Sequence, residues 1–126
     1  MTPMSCPFCE PLQVEIVTRY DSVFVVSDGF PVSPGHTLII PVRHVQSFFE
    51  LDAEEHCAMF EALKAVQEKL AASLSPDGFN VGINDGSAAG QTIPHCHLHV
   101  IPRYAGDVAD PRGGIRWVVP DKAVYW

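Results

Sequence analysis

Hydrophobic and polar residues follow two different periods along this chain. Short runs that are rich in β-branched and aromatic residues, or that alternate with polar ones, have the length of β-strands. Clusters of proline, glycine and aspartate separate these runs, and the densest cluster, DGFPVSPGH at 28–36, predicts a loop. The pattern predicts strands over 14–20, 22–27, 36–42, 79–84 and 95–102.

One segment has the period of an amphipathic helix instead. Asp52 is a favourable N-cap, and Glu55 completes a capping-box pattern three residues later. The helix is expected to stop within 73–78, where proline and glycine break the pattern. Its apolar stripe consists of Met59, Leu63, Val66 and Leu70. Because the predicted strands outnumber this helix and adjoin in sequence, we expect an α+β fold with an antiparallel sheet.

Length and composition narrow the classes of protein that the chain can belong to. Its 126 residues predict a single domain over 1–126, and an apolar fraction of 47% can form a core. No stretch approaches the roughly 20 apolar residues of a membrane span, and no signal peptide is evident, so we expect a cytoplasmic protein without a membrane partner. A net charge of −7 disfavours nucleic-acid binding, although one local pocket could hold a small phosphate ligand.

Three histidines, His95, His97 and His99, stand at alternate positions of the last predicted strand. Successive side chains of a strand point to opposite faces, so these rings should share one face, about 6.5–7 Å apart. The intervening residues are apolar or soft and should point into the core. In a helix, by contrast, the three rings would spread around the axis.

The histidine cluster leaves two kinds of chemistry open. A solvated strand face would explain one such histidine, but it explains poorly three in register after a glycine-rich loop. The cluster could chelate a metal, or the central His97 could act as a nucleophile. In the second case the ring nitrogen that does not attack must donate to a fixed carbonyl, so that the other nitrogen keeps its lone pair.

Two segments decide between these alternatives because they resemble a known family. PGHTLIIPVRH at 34–44 and NDGSAAGQTIPHCHLHVIPRY at 84–104 resemble the histidine triad (HIT) superfamily. The family signature is His-x-His-x-His followed by two apolar residues, which are Val100 and Ile101 here. The Pro-Gly-His and Pro-x-x-His of the first segment also match, and the resemblance extends over about residues 6–104.

The resemblance implies both a fold and an activity. The fold would be a five-stranded antiparallel sheet with one long and one short helix, in a homodimer whose sheets join edge to edge. The activity would be a nucleotidyl hydrolase that releases a nucleoside monophosphate, with purine preferred, from dinucleoside polyphosphates or nucleoside phosphoramidates. The intact His99 favours hydrolysis, because glutamine replaces it in the related uridylyltransferases. A transferase or phosphorylase, or a nucleotide-binding module without turnover, remains an alternative.

The resemblance also implies roles for individual residues. His97 would attack the α-phosphorus to form a covalent nucleotidyl-histidine, while His99 would contact phosphate oxygens or help to protonate the leaving group. His36 would complete a hydrogen-bond chain behind the triad. The expected catalytic residues are His97, His99, His36 and Thr92. The expected substrate contacts are Asp28, Asn84, Gln91, Thr92 and His99. Asp28 and Asn84 also stand in ordinary turn sequences, which leaves a purely structural role open.

A second chemical motif is the pair Cys6-Pro7-Phe8-Cys9, which on its own permits a redox or a zinc site. No strand precedes it, which disfavours a thioredoxin-like motif. The resemblance implies a structural zinc ion held by an N-terminal segment, 1–12, together with two histidines. The four expected ligands are Cys6, Cys9, His44 and His95, a closed tetrahedral set. An unmetallated thiol pair on a flexible tail is the alternative.

The C-terminal tail, 103–126, has no clear period. Its arginines and a tryptophan could close over the distal part of a dinucleoside polyphosphate; they are Arg103, Arg112, Arg116 and Trp117. The tail could equally pack against its own sheet or a dimer partner. The remaining histidine, His56, falls off the helix stripe and is expected at the solvated surface.

Overall fold

Five strands form one antiparallel sheet beside one long helix, as the sequence predicts. A computed structural model describes residues 6–9 and 16–126. The strands are β1 Ile16–Tyr20, β2 Val23–Ser27, β3 Thr37–Pro41, β4 Gly78–Gly82 and β5 Leu98–Arg103, and the helix is α1 Ala53–Leu74. Positions 14 and 15 of the first predicted strand lie outside the described residues. Within the described part of the chain, no helix is long and apolar enough to cross a membrane.

The strand order β1-β2-β3-β5-β4 places the histidine strand inside the sheet. β5 pairs with β3 on one side and with β4 on the other, and every neighbouring pair is antiparallel. Leu38 and Gly82 lie opposite His99 from the two sides. Residue 99 is therefore held by backbone pairing on both flanks.

Helix α1 covers one face of the sheet. It begins at the expected N-cap, where the Asp52 carboxylate accepts a hydrogen bond from the Glu55 N–H and the Glu55 side chain accepts one from the Asp52 N–H. Its apolar stripe packs on side chains of the central strands, with Met59 fully buried. The helix ends at Leu74, where Ser75 adopts the left-handed conformation and donates to the carbonyl of Ala71.

The opposite face of the sheet is also apolar under its first strands. Phe24, Val26, Leu38 and Ile40 form a second buried cluster there. Cys6 and Phe8 lie on this cluster, so the short turn 6–9 covers that part of the face. Because both faces are covered, β3 is buried along its whole length, which explains its unbroken apolar sequence.

The last strand begins three residues later than the sequence pattern predicts. His95, Cys96 and His97 are extended but unpaired with β3, because the position opposite Cys96 falls to Pro41, which has no N–H to donate. The Cys96 N–H donates instead to the carbonyl of Val45, at 2.7 Å. The predicted alternation of faces nevertheless holds, since Cys96, Leu98 and Val100 are all buried in the helix-side core.

The shorter helical elements are all 3-10 helices within the described residues. They span Phe48–Glu50, Ser87–Ala89, Gly114–Val118 and Pro120–Lys122. The last two belong to the tail, which folds back onto β4: a side chain at Gly82 would meet Ile115 at 3.3 Å. Ala123 is fully buried. The tail therefore packs against its own sheet, the second of the two arrangements expected from the sequence.

The helix cap can be tested by mutation. Asp52→Ala removes the acceptor for the Glu55 N–H and should cost about 1 kcal/mol of unfolding free energy. This corresponds to a fall of about 3–5 °C in Tm, measured by circular dichroism. Asp52→Asn keeps a capping oxygen and should remain close to wild type, whereas equal losses in both variants would contradict the cap as the source of the effect.

Candidate functional site

The His97 ring is held in a single tautomer. Its Nδ1 lies 2.8 Å from the carbonyl oxygen of His95, a partner that can only accept, so Nδ1 carries the proton. The other nitrogen, Nε2, therefore keeps its lone pair. The ring is 9% exposed and lies between two aromatic neighbours, with centroid distances of 5.2 Å to Phe8 and 5.2 Å to His99. This is a neutral imidazole with one fixed donor and one available lone pair.

His99 is linked to a second histidine and a carboxylate. The N–H of Val32 donates to His36 Nδ1 at 3.1 Å, so the proton of a neutral His36 is on Nε2. His36 Nε2 in turn lies 2.9 Å from His99 Nδ1 and 3.3 Å from an Asp28 carboxylate oxygen. A neutral His99 therefore accepts at Nδ1 and carries its own proton on Nε2.

Burial keeps this histidine pair neutral. Desolvation, with smaller contributions from His97 and His36, lowers the pKa of His99 to about 4, against a weaker opposing effect of Asp28. Desolvation also lowers the pKa of His36, again opposed by Asp28. The hydrogen-bond directions given above consequently hold across the neutral pH range.

The glycine-rich loop before the triad is tied to the segment ahead of α1. The Gln91 side chain accepts from the Gly86 N–H at 2.8 Å and donates to the carbonyls of Gln46 and Ile93. Asp85 accepts from the Phe48 N–H at 2.7 Å and, with its other oxygen, from the Ser47 hydroxyl. The Gln91 amide is thus already bonded to loop backbone at both of its ends.

The four expected metal ligands converge on one point. The donor atoms of Cys6, Cys9, His44 and His95 all lie within 4.8 Å of one another. Cys9 Sγ is 3.0 Å from His44 Nδ1 and 3.5 Å from His95 Nδ1, and the two Nδ1 atoms are 3.1 Å apart. The edges of a tetrahedral zinc site with two sulfur and two nitrogen ligands are roughly 3.3–3.8 Å, so the group could bind a metal ion.

The chemistry of His95 agrees with this fit. Its Nε2 donates to the carbonyl of Pro41 at 2.8 Å, which leaves a bare lone pair on Nδ1, the atom that faces the cysteines. Burial lowers the pKa of His95, which favours the neutral ring that a metal requires. Two nitrogen atoms 3.1 Å apart, one of them without a proton, need a cation or a shared proton between them.

His44 is held in place from the other side by an ion pair of its neighbour. The Arg43 guanidinium donates to both oxygens of Glu55, at 2.7 and 3.2 Å. This hydrogen bond lowers the pKa of Glu55, whose side chain is 6% exposed. The helix N-terminus and the Pro-x-x-His segment are therefore linked directly.

The other predicted residues lie around this centre with different degrees of engagement. Asn84 and Thr92 are exposed on the loop that precedes the triad. Asp28, expected near ribose hydroxyls, contacts His36 and accepts from the Phe30 N–H at 2.7 Å. The expectation for His56 was wrong, because its ring is half-buried, lies 4.6 Å from the Phe48 ring and bonds to the Phe48 carbonyl.

The tail arginines are paired within the chain. Arg103 binds Asp107 through two nitrogens, at 2.7 and 2.8 Å, and donates to Asn80. Arg112 pairs with Asp110 and lies over the Trp126 ring at 4.5 Å. Arg116 donates to two carbonyls of the tail, those of residues 122 and 123.

Sequence reasoning missed Phe8 as part of the site. Its ring meets those of His95 and His97 edge-on, at 5.8 and 5.2 Å, and so connects the cysteine turn to the triad. The only signal was its place between the two cysteines, since any side chain there must lie over whatever the cysteines hold.

Comparison with known proteins gives concordant matches in sequence. A family model described as the HIT domain matches residues 12–106. An uncharacterized HIT-like protein of Mycoplasma genitalium is 37% identical over 107 residues, covering 82% of this chain and 76% of that protein. The asymmetrical bis(5′-nucleosyl)-tetraphosphatase of Schizosaccharomyces pombe is 40% identical over 98 residues, covering 78% and 53%. The AP-4-A phosphorylase of Mycobacterium tuberculosis is 37% identical over 108 residues, covering 80% and 55%. The chain spans about half the length of these two enzymes.

Solved structures give the same result. A HIT family protein from Bacillus anthracis superposes with a TM-score of 0.77 at 36% identity, covering 84% of this chain and 78% of that one. A zinc-bound histidine triad family protein from Mycobacterium smegmatis superposes with a TM-score of 0.75 at 33% identity, covering 85% and 81%. The sheet and long helix described above are therefore the fold of these proteins.

The neutral state of His99 predicts a measurable dependence of stability on pH. In the unfolded chain the ring takes up a proton as the pH falls below about 6.5, but in the folded chain it does so only near 4. Stability is therefore retained above pH 6.5 and lost as the pH falls toward 4, by up to roughly 3 kcal/mol from this ring.

His99→Gln keeps an acceptor for the His36 N–H but cannot titrate, so its unfolding free energy should decline less steeply between pH 6.5 and 4. Urea titrations of both proteins over this range measure the difference. Parallel curves for the two proteins would contradict the assignment.

Proposed function

The chain belongs to the HIT domain family, and from that premise we propose that it is a nucleotidyl hydrolase with a covalent nucleotidyl-His97 intermediate. The substrates would be dinucleoside polyphosphates or nucleoside phosphoramidates, and the product a nucleoside monophosphate. The observation that carries this proposal is the hydrogen bond from His97 Nδ1 to the His95 carbonyl, which leaves Nε2 as an oriented nucleophile.

In the first step, the lone pair of His97 Nε2 attacks the α-phosphorus, and the bond from phosphorus to the leaving group breaks. The Nδ1–H stays bonded to the carbonyl and stabilises the positive charge that the ring acquires. In the second step water attacks the phosphorus, the P–N bond breaks and the free imidazole returns. Water contributes a hydroxyl to the nucleoside monophosphate and a proton to the leaving group.

His99 is suited to assist both steps. Its Nδ1 is engaged by His36, so the proton on Nε2 is available to a phosphate oxygen or to the departing group. Asp28 lies 3.3 Å from His36 Nε2 and 3.9 Å from His99 Nδ1, where its negative charge would stabilise a protonated pair transiently. This chain of groups supports catalytic roles for His99 and His36.

Substrate contacts are assigned to the surrounding loops. Thr92 and Asn84 are exposed at the open side of the triad, where a hydroxyl and an amide can donate to non-bridging oxygens. Gln91 would act chiefly by holding the loop, since its own amide is occupied. Asp28 also borders a cavity of about 470 Å³ with His36, a suitable place for ribose hydroxyls. A purine base follows from family analogy.

We assign a structural zinc ion to Cys6, Cys9, His44 and His95. The fit of the four donor atoms and the zinc-bound relative support this choice. The ion would brace the fold, because four protein ligands leave no position open for substrate. The residues around it then fix the His95 backbone, whose carbonyl orients the nucleophile.

One observation favours a second candidate activity. The phosphorylase relative shares 37% identity over 108 residues, and it differs from a hydrolase only in whether phosphate or water resolves the intermediate. Running the reaction with and without inorganic phosphate separates the two, since AMP indicates hydrolysis and ADP indicates phosphorolysis. The homodimer expected of the family belongs to this proposal, with β1 and β4 as the sheet edges in the described residues.

The nucleophile is tested by His97→Ala. The variant should release AMP from adenosine 5′-phosphoramidate and from diadenosine tetraphosphate at least about 10³-fold more slowly, because the covalent route is lost. His56→Ala changes a histidine on the helix and should keep near wild-type turnover. Turnover by His97→Ala at the wild-type rate would rule out the mechanism, and nucleotide binding without turnover by the wild type would favour the binding module.

The zinc assignment is tested by metal analysis of protein purified without added metal. Wild type should contain about one zinc ion per chain, whereas Cys9→Ser should retain less than about 0.2, because three ligands hold zinc poorly. Cys57→Ser, which changes an exposed cysteine on the helix, is the matched control and should keep the full complement. Substoichiometric zinc in both wild type and control would overturn the assignment.

A further inference from the structure

A groove of about 640 Å³ lies between the C-terminal tail and the outer face of β4 and β5. Its walls are mainly large apolar side chains from three separate parts of the chain. They include Val32, Ile101, Val108, Ile115, Trp117 and Val118. Several of these side chains are substantially exposed, with Ile115 at 60% and Val118 at 74%. The described chain thus leaves an open apolar surface beside its sheet.

The groove is continuous with the histidine site. Ile101 is two residues after His99 on β5, so both side chains point to the same face of the sheet. Val32 lies on the groove and donates its N–H to His36 Nδ1 at 3.1 Å. The neighbouring Ser33 fixes this loop to β5 by donating its hydroxyl to the Pro102 carbonyl at 2.7 Å. A group that leaves from phosphorus beside His99 therefore has this groove next to it.

The charges around the groove are already neutralised. Arg103 is held by two hydrogen bonds to Asp107, and this pairing keeps the pKa of the Asp107 carboxyl well below its usual range. Asp110 also lines the groove and is paired with Arg112. A chain of several phosphates needs unpaired cationic donors, and the residues that line this groove provide none.

We propose that this groove receives the leaving group, and that the leaving group is a flat apolar amine joined to the nucleotide through a P–N bond. The proposal rests on the nucleotidyl-transfer function proposed above and narrows its substrate class. The indole N–H of Trp117 is bonded to the Arg112 carbonyl at 2.9 Å, so the ring is fixed and presents a surface on which an aromatic group can pack.

The chemical balance of this reaction is simple. His97 Nε2 forms a bond to phosphorus as the P–N bond of the substrate breaks, and the amine nitrogen keeps the electron pair and takes a proton. Water then displaces the imidazole from phosphorus. The net reaction consumes one water molecule and yields a nucleoside monophosphate and the free amine.

The test compares two substrates whose leaving amines have similar basicity, adenosine 5′-(N-methyl)phosphoramidate and adenosine 5′-(N-naphthylmethyl)phosphoramidate, with diadenosine tetraphosphate as a third. Wild type should show a kcat/KM at least about tenfold higher for the naphthylmethyl compound than for the methyl compound, because only the former fills the groove. Diadenosine tetraphosphate should be the poorer substrate of the polyphosphate and naphthylmethyl pair.

Val118→Arg and Val119→Arg form a matched pair of variants. Both positions are exposed and adjacent, but only Val118 lines the groove. Val118→Arg should lower kcat/KM for the naphthylmethyl compound about tenfold and leave the methyl compound within about twofold of wild type. Val119→Arg should leave both within about twofold.

The outcomes separate this proposal from the function on which it rests. If wild type turns over the methyl compound but shows no preference for the naphthylmethyl one, or if the two arginine variants behave alike, the hydrolase stands and the groove assignment falls. A higher kcat/KM for diadenosine tetraphosphate than for the naphthylmethyl compound also overturns the groove assignment. If wild type releases AMP from none of the three, the proposed function fails and this assignment fails with it.

Discussion

His95 is the residue on which the geometry of the site depends. Its side chain lies among the metal-binding donors and bonds to the Pro41 carbonyl, while its own carbonyl accepts the proton-bearing nitrogen of His97. A displacement of this residue would change the direction in which the His97 lone pair points. The fully buried His95 is therefore the connection between the folded frame and the reactive ring.

The sheet provides this frame because both of its faces are covered near the site. The helix packs on one face, and the cysteine turn with Phe8 packs on the other, so the central strands contain little beyond apolar residues. Where a polar group is buried in this region, it has a partner: the structure records no buried side-chain nitrogen or oxygen without a hydrogen bond among the described residues. Rotation of the histidine rings would break these bonds, which is why the rings are held in defined orientations.

Local sequence patterns predicted most of this architecture, and long-range contacts explain what they missed. The capping box, the apolar stripe and the alternation around the histidines each depend on residues close in sequence, and all three are present. The late start of β5 depends on Pro41, which is far from it in the chain, and the partners of the tail arginines depend on how the tail folds back. The family resemblance supplied the cysteine–histidine set, because spacing alone could not bring residues 6 and 95 together.

The covering turn at 6–9 has two tasks that in many proteins fall to separate segments. Its sulfur atoms face the metal-binding histidines, and its phenyl ring shields the outer sheet surface and the reactive imidazole. A cell that runs short of the ion, or an oxidant that consumes the thiols, would therefore loosen the lid over the catalytic ring at the same moment. Metal supply and thiol redox state would in this way reach the chemistry through the packing of a single phenylalanine.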